Sequence, residues 1–292
     1  MRFPAKILLF GEYTLIRGSQ GLAIPFDRFS CELVMASNDV LQDSKLILDK
    51  IYQHICSDKQ LSLILDTERF HQDIVKGLQI KMDIPVGYGL GSSGALTACV
   101  YERYAKKKAT DINQLQTTLG NIESVFHGKS SGLDPLVSFL QKAIWIDAEK
   151  QNNEIQLRTD FKEEFSLFLI DTRQARRTEP LVNSFLEKCK NEKYESAIES
   201  EIVPLNNQLI TSFIEGDWGN ISSVFKQLSI KQLTLFKEQI LPKHISIWQE
   251  GIATDNYYLK ICGAGGGGFM LGITQDKTKV LATFNETNII WI

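Results

Sequence analysis

The stretch Pro85-Val86-Gly87-Tyr88-Gly89-Leu90-Gly91-Ser92-Ser93-Gly94-Ala95 places three alternate glycines and two serines ahead of a run of good helix formers. Glycine lets a backbone approach its ligand closely, the first N–H groups of a helix have no internal partner, and the helix dipole favours negative charge there. The chemistry on offer is anion binding, and a phosphate is the natural guest. Three readings compete. In the first, the stretch is a plain strand-to-helix turn capped by Ser92 or Ser93. In the second it is a dinucleotide loop, because Gly89, Gly91 and Gly94 satisfy G-x-G-x-x-G. That motif requires a hydrophobic strand after the helix with an acid at its end, whereas this helix runs into Lys106-Lys107-Lys108 and a second helical pattern. In the third it is a triphosphate loop without the Gly-Lys-Ser/Thr of a Walker motif, so a lysine and the metal ligands must come from elsewhere.

Several residues could supply them. Lys6 is embedded in Ala5-Lys6-Ile7-Leu8-Leu9-Phe10, a strand-like run in which an ammonium is costly unless it finds a partner or snorkels from an edge. Glu123 follows Ile122 in the apolar stripe of a helix capped by Asp111. Asp134 precedes Pro135 and, taken alone, reads as a helix N-cap. His127, in the loop before Asp134, reads as a structural histidine. Arg173, Arg176 and Arg177 cluster in a polar turn. A second glycine run, Gly263 to Gly268 with Ala264 as its only other residue, is too rich for a hairpin turn and predicts a backbone lying against a ligand.

The elements that must position these groups are legible as periodicity. Leu78, Ile80, Met82 and Ile84 alternate as a strand into the first glycine loop, and Ala95 to Ala105 reads as a helix. Residues 23–35 predict one or two strands with a break at Pro25-Phe26-Asp27. Residues 44–55 and 68–77 predict helices. Residues 143–147 form a short strand, 149–154 a polar turn, and a domain boundary falls near 150. Beyond it come a strand at 165–172, helices from 179 to about 250 broken near Asn191, Gly216 and Pro242, and strands at 257–262, 269–274 and 289–292.

Composition limits the function classes. The chain has 292 residues, 43% hydrophobic and 23% charged, enough for one large or two medium domains. A net charge of −3 with dispersed basic residues leaves no nucleic-acid footprint. Five widely spaced cysteines without a C-x-x-C pair suit reduced thiols. No apolar run of roughly 18 residues is present, and we expect a soluble cytoplasmic protein.

Taken together, Pro4-x-Lys6-x-x-x-x-Gly11-Glu12, Gly89-Leu90-Gly91-Ser92-Ser93-Gly94-Ala95 and Lys260-Ile261-Cys262-Gly263-Ala264-Gly265-Gly266-Gly267-Gly268 resemble the three signature motifs of the GHMP kinase superfamily, in family order. The resemblance implies an α+β fold in two domains. A ribosomal protein S5 domain 2-like, ATP-binding domain would occupy residues 1–150 and a ferredoxin-like domain residues 151–292, with the ATP and substrate clefts between them. It implies an ATP-dependent kinase acting on a small alcohol with Mg2+. Gly87, Gly89, Leu90, Gly91, Ser92, Ser93, Gly94 and Ala95 would hold ATP, and Ser93 and Glu123 the magnesium. Asp134 would be the base, with Lys6 beside it. Lys6, Glu12, Tyr13, Gly132, Asp134, Arg173, Thr178, Gly263, Ala264 and Gly265 would line the acceptor site.

General chemistry agrees. An alcohol needs a base within hydrogen-bond reach, a nearby cation favours the developing alkoxide, and magnesium is content with few protein oxygens when phosphates supply the rest. Asp171-Thr172-Arg173 followed by Thr178, and His127-Gly128, resemble the mevalonate kinases of the superfamily. Tyr13 after Gly-Glu points instead toward phosphomevalonate kinases. Mevalonate is placed first and phosphomevalonate or another small alcohol second. One arginine, Arg173, suffices for a carboxylate, leaving Arg176 and Arg177 solvated. The partner is a small molecule, with no nucleic acid and no membrane, and a homodimer is allowed. A non-catalytic, ligand-sensing homologue is the alternative of another class, and the presence of Lys6, Ser93, Glu123 and Asp134 argues against it.

Overall fold

The computed structural model describes residues 1–36, 42–158, 160–176 and 178–292, with Thr178 described by its backbone alone. Arg177 and the Thr178 side chain, both named above, lie outside the described residues. Two compact units interleave along the chain. The first takes Met1–Ile7, Ile24–Pro85 and Leu90–Lys142, and the second takes Leu8–Ala23, Val86–Gly89 and Ala143–Ile292.

Strands β1 (Arg2–Phe10) and β2 (Gly21–Met35) contribute residues to both units. In the first unit the end of β2 pairs antiparallel with β3 (Leu78–Met82), Cys31 opposite Met82 and Met35 opposite Leu78. Among its described residues are the helices α1 (Gln42–Ser57), α2 (Lys59–Ile64), α3 (Thr67–Val75), α4 (Ser92–Tyr104), α5 (Ile112–His127) and α6 (Leu133–Leu140). Carboxylates fix three of the starts. Asp58 accepts from the N–H groups of Gln60 and Leu61, Asp66 from Arg69 and Asp111 from Gln114. Helix α4 is buried at every residue from Gly94 to Tyr101, the pattern of a helix with neighbours all round, and it packs on α5 and α6.

Three local expectations are corrected here. Helix α4 is capped by Gly91 at φ +69° with no side-chain bond, so Ser92 and Ser93 sit inside its first turn. Helix α6 is capped by Gly132 at φ +74°, so Asp134 is the second helical residue and does not cap it. Pro25 does not break β2 either. The strand runs unbroken from Gly21 to Met35, with pairing to the strand at 143–146 ending at Ala23 and pairing with β3 beginning at Cys31.

In the second unit the start of β2 pairs antiparallel with β4 (Ala143–Ile146), and β4 with β5 (Asn152–Ile155), a strand begun within the stretch expected as a turn. Next come β6 (Ser166–Asp171), α7 (Thr178–Lys188), α8 (Glu192–Ala197), α9 (Val203–Glu215), α10 (Ile221–Leu235), α11 (Pro242–Thr254), β7 (Tyr258–Ile261), β8 (Phe269–Thr274), α12 (Lys277–Thr283) and β9 (Ile289–Trp291). The last sheet has the antiparallel order β7-β8-β6-β9. Its β8 is buried at all six residues, as a strand between two others and covered on both faces must be. The expected helix breaks hold: Asn191 caps α8, Gly216 ends α9 and Pro242 opens α11. Among the described residues no helix is long and apolar enough to cross a membrane.

Candidate active site

Within the first unit, β1 delivers Lys6 between Ala5 and Ile7, both fully buried. The Lys6 backbone N–H donates to Leu90 O at 2.9 Å, which ties the strand to the start of the α4 loop. Its ammonium does not snorkel. It is 7% exposed and lies 2.9 Å from Asp134 Oδ1. A Cβ at Gly91 would stand 2.9 Å from Lys6 Cγ and 3.3 Å from Asp134 Oδ2, and one at Gly94 would stand 2.7 Å from the Asp134 carbonyl carbon. The glycines of the loop therefore let the first turn of α4 close against the Lys6–Asp134 pair. The Asp134 side chain stays one-third exposed, so a small hydroxyl can reach it.

The same turn carries Ser93, whose Oγ donates to Glu123 Oε1 at 2.8 Å and lies 3.2 Å from His127 Nε2. Ser130 Oγ donates to the other oxygen, Glu123 Oε2, and accepts the Gly132 N–H at 3.0 Å. Glu123 is buried. Desolvation, reinforced by the charge of Asp134, pushes its carboxyl up to about 7, against the opposing pull of the two serines and Lys6. Among the described residues no group of three or more His, Cys, Asp or Glu is placed to hold a metal. Ser93 and Glu123 offer one hydroxyl and one carboxylate. That donor set suits magnesium when a ligand's phosphates and water complete its octahedron, and the desolvated carboxylate gains from a cation.

In the second unit, Glu12 and Lys260 form an ion pair in which both side chains are at most 1% exposed. Lys260 Nζ also donates to Ile261 O at 2.8 Å and sits 5.7 Å from the centre of the Phe10 ring. Burial raises the Glu12 carboxyl while Lys260 opposes it. Tyr13, at φ +63°, donates its hydroxyl to Ala264 O at 2.6 Å and packs its ring on Phe185 and Phe236. Burial raises its phenol. Glu12 and Tyr13 thus moor the residues after β1 to the Gly263–Gly268 run. That run needs no ligand to explain its glycines. A Cβ at Gly265, Gly267 or Gly268 would meet the carbonyl oxygens of Gln239, Gln174 or Tyr88 within 2.6 Å.

The arginines separate. Arg173 is exposed, with its guanidinium on Thr287 and Asn288. Arg176, expected to be solvated, is partly buried. Its N–H donates to Gly87 O at 3.1 Å, its Nη1 to Cys262 O at 2.5 Å, and its guanidinium lies against Gly89 and Gly263. Sequence reasoning missed Arg176 because the sequence motif singles out Arg173. It missed Ser130 because nothing local marks one serine of the pair Ser130-Ser131 as the partner of a carboxylate seven residues earlier.

The sequence profile of the GHMP kinases N terminal domain matches residues 57–142. Mevalonate kinase of Methanothermobacter thermautotrophicus is 24% identical over 160 residues, covering 52% of this chain and 52% of that protein, so the match spans about half the relative's length. Mevalonate kinase of Archaeoglobus fulgidus is 22% identical over 285 residues, covering 94% of this chain and 92% of the relative. Among solved structures, L. major mevalonate kinase in complex with R-mevalonate superposes with TM-score 0.67 at 14% identity, over 97% of this chain and 89% of that one. Streptococcus pneumoniae phosphomevalonate kinase in complex with phosphomevalonate and AMPPNP gives 0.65 at 13% identity, over 100% and 98%. At these identities the structural likeness shows the fold.

Proposed function

We propose that the chain, whose residues 57–142 match the GHMP kinases N terminal domain, is a GHMP kinase that transfers the terminal phosphoryl group of ATP to a small alcohol, with mevalonate as the preferred acceptor. The observation that carries the reading is the buried Lys6 ammonium held 2.9 Å from Asp134 at the open first turn of α4. Asp134 takes the hydroxyl proton as the acceptor oxygen forms its bond to the γ-phosphorus, and the bond from that phosphorus to the bridging oxygen breaks to release ADP. Lys6 stabilises the negative charge gathering on the acceptor oxygen. Unpaired N–H groups at the start of α4, with Leu90 to Ala95, receive phosphate oxygens. Ser93 and Glu123 are the groups that would hold magnesium, which when bound neutralises phosphate charge.

Mevalonate is favoured because the relatives matched over part or nearly all of the chain are named mevalonate kinase. Phosphomevalonate is the second reading. Tyr13 after Gly11-Glu12 is the feature that favours it. The five cysteines are in no disulfide and four of them are buried, in keeping with a cytoplasmic enzyme. The division at residue 150 and a homodimer belong to the same proposal. ADP release measured with mevalonate, phosphomevalonate, galactose and homoserine tests it. Mevalonate should give the highest kcat/KM. Tight ATP binding with no turnover on any of the four would identify a ligand sensor instead.

A further inference from the structure

Glu123 has two carboxylate oxygens, and the structure gives each a different hydroxyl. Ser93, on α4, takes Oε1. Ser130, on the loop after α5, takes Oε2. The Ser130 hydroxyl is directed: its oxygen accepts the Gly132 N–H at 3.0 Å, which leaves its proton for the carboxylate. The loop that carries it is tightly seated on α5, the helix that carries Glu123. A Cβ at Gly132 would stand 2.2 Å from Gln116 O, one at Gly120 would stand 3.1 Å from the Gly132 N, and Gln116 Nε2 donates to Ser131 O at 2.8 Å. Two residues beyond Gly132 the same turn presents Asp134.

We propose that Ser130 is a positioning residue for Glu123, occupying one carboxylate oxygen so that the other, shared with Ser93, faces a divalent cation in a fixed orientation. The proposal rests on the reading of Ser93 and Glu123 as the metal-holding pair. A carboxylate whose second oxygen is held by the loop binds a small cation through the first alone, which keeps coordination positions open for phosphate oxygens and water. A buried carboxylate without the second donor would rotate, so its orientation would be set by the nearest charges and not by the loop. Partners of metal ligands that act in this way typically contribute about 10- to 100-fold to metal affinity.

The test reads metal binding without turnover. Mn2+ is titrated into the full-length protein with ADP and no acceptor, and bound metal is followed by electron paramagnetic resonance. Ser130→Ala is expected to weaken Mn2+ binding about 10-fold or more, while ADP affinity measured in EDTA stays at the parent value. Ser130→Thr, which keeps the hydroxyl, is expected to bind Mn2+ nearly as the parent does. Equal Mn2+ affinity in parent and Ala variant overturns the proposal. So does equal weakening in the Ala and Thr variants, which would make the loop's packing the cause and not its hydroxyl. Glu123→Gln separates the two levels of the argument. If it leaves Mn2+ binding unchanged, the metal-site reading itself fails; if it abolishes binding while Ser130→Ala does not, only the role of Ser130 fails. Should Ser130→Ala not fold, as judged by circular dichroism, Ser130→Cys keeps the volume with a weaker donor and is expected to show an intermediate loss; parent-like binding by Cys would count against the proposal.

Discussion

Lys260→Met removes one partner of an ion pair that has almost no access to water, since the Lys260 and Glu12 side chains are 0% and 1% exposed. The remaining carboxylate would keep only the Gly263 N–H, 3.4 Å away, and weak local backbone help. A buried charge stripped of its partner typically costs about 3–5 kcal/mol, whereas replacing both partners by apolar groups of similar size is often close to neutral. Lys260→Met is therefore expected to lose ~3–5 kcal/mol of stability near neutral pH, and Glu12→Met combined with Lys260→Met to recover most of it. Burial already raises the Glu12 carboxyl and Lys260 opposes that shift, so the single variant raises it further. A carboxyl raised by folding favours the fold below its unfolded value and loses that advantage as pH rises through the folded one. The deficit of Lys260→Met should accordingly shrink at acid pH. Urea unfolding followed by tryptophan fluorescence reads this unit alone, because Trp145, Trp218, Trp248 and Trp291 all belong to it. A loss below about 1 kcal/mol, or a double variant no more stable than the single one, refutes the reasoning.

Asp134→Asn should lower phosphoryl transfer ~10²- to 10⁴-fold with ATP affinity within a few-fold, and near-parent turnover would remove Asp134 as the base. In EDTA, Glu123 contributes stability in full below pH 4.5, and that contribution is lost as pH rises through about 7; the loss is on the order of 3 kcal/mol. Glu123→Gln should flatten that segment of the stability profile, and an unchanged profile would mean that the group does not titrate there. Arg176→Ala should raise an apparent KM at least as much as Arg173→Ala, because its guanidinium lies along Gly89 and Gly263 while that of Arg173 is turned to Thr287 and Asn288. Steady-state kinetics on both variants decide it.

Much of the architecture follows from patterns that act locally. Asp111, Asn191, Gly216 and Pro242 mark helix ends because caps, left-handed glycines and a first-turn proline work within a few residues. The helices α2 and α12 escaped notice because six and seven residues are too few to display a period. Asp134 shows where local rules stop. Asp-Pro ahead of an apolar run satisfies the cap rule, yet Gly132 caps the helix, and Asp134 is claimed by a lysine 128 positions earlier that local pattern cannot foresee. Lys6 was ambiguous on its strand for the same reason. The roles of Ser130 and Arg176 depend on which backbone comes near, and spacing along the chain does not encode that.

The mooring of Glu12 and Tyr13 also has a temporal side. Their partners Lys260 and Ala264 lie 248 and 251 positions later in the sequence. At ribosomal speeds of roughly 5–20 residues per second, the start of the chain waits on the order of tens of seconds before those partners exist. Until then the apolar end of β1, Leu8 to Phe10, and the carboxylate that must eventually be buried beside it have no completed place in the second unit. The nascent chain offers a hydrophobic strand for most of its synthesis, which is the interval in which a ribosome-associated chaperone would meet it. Variants at Glu12 or Lys260 should for that reason lower the yield of folded protein at fast translation more than their equilibrium stability implies.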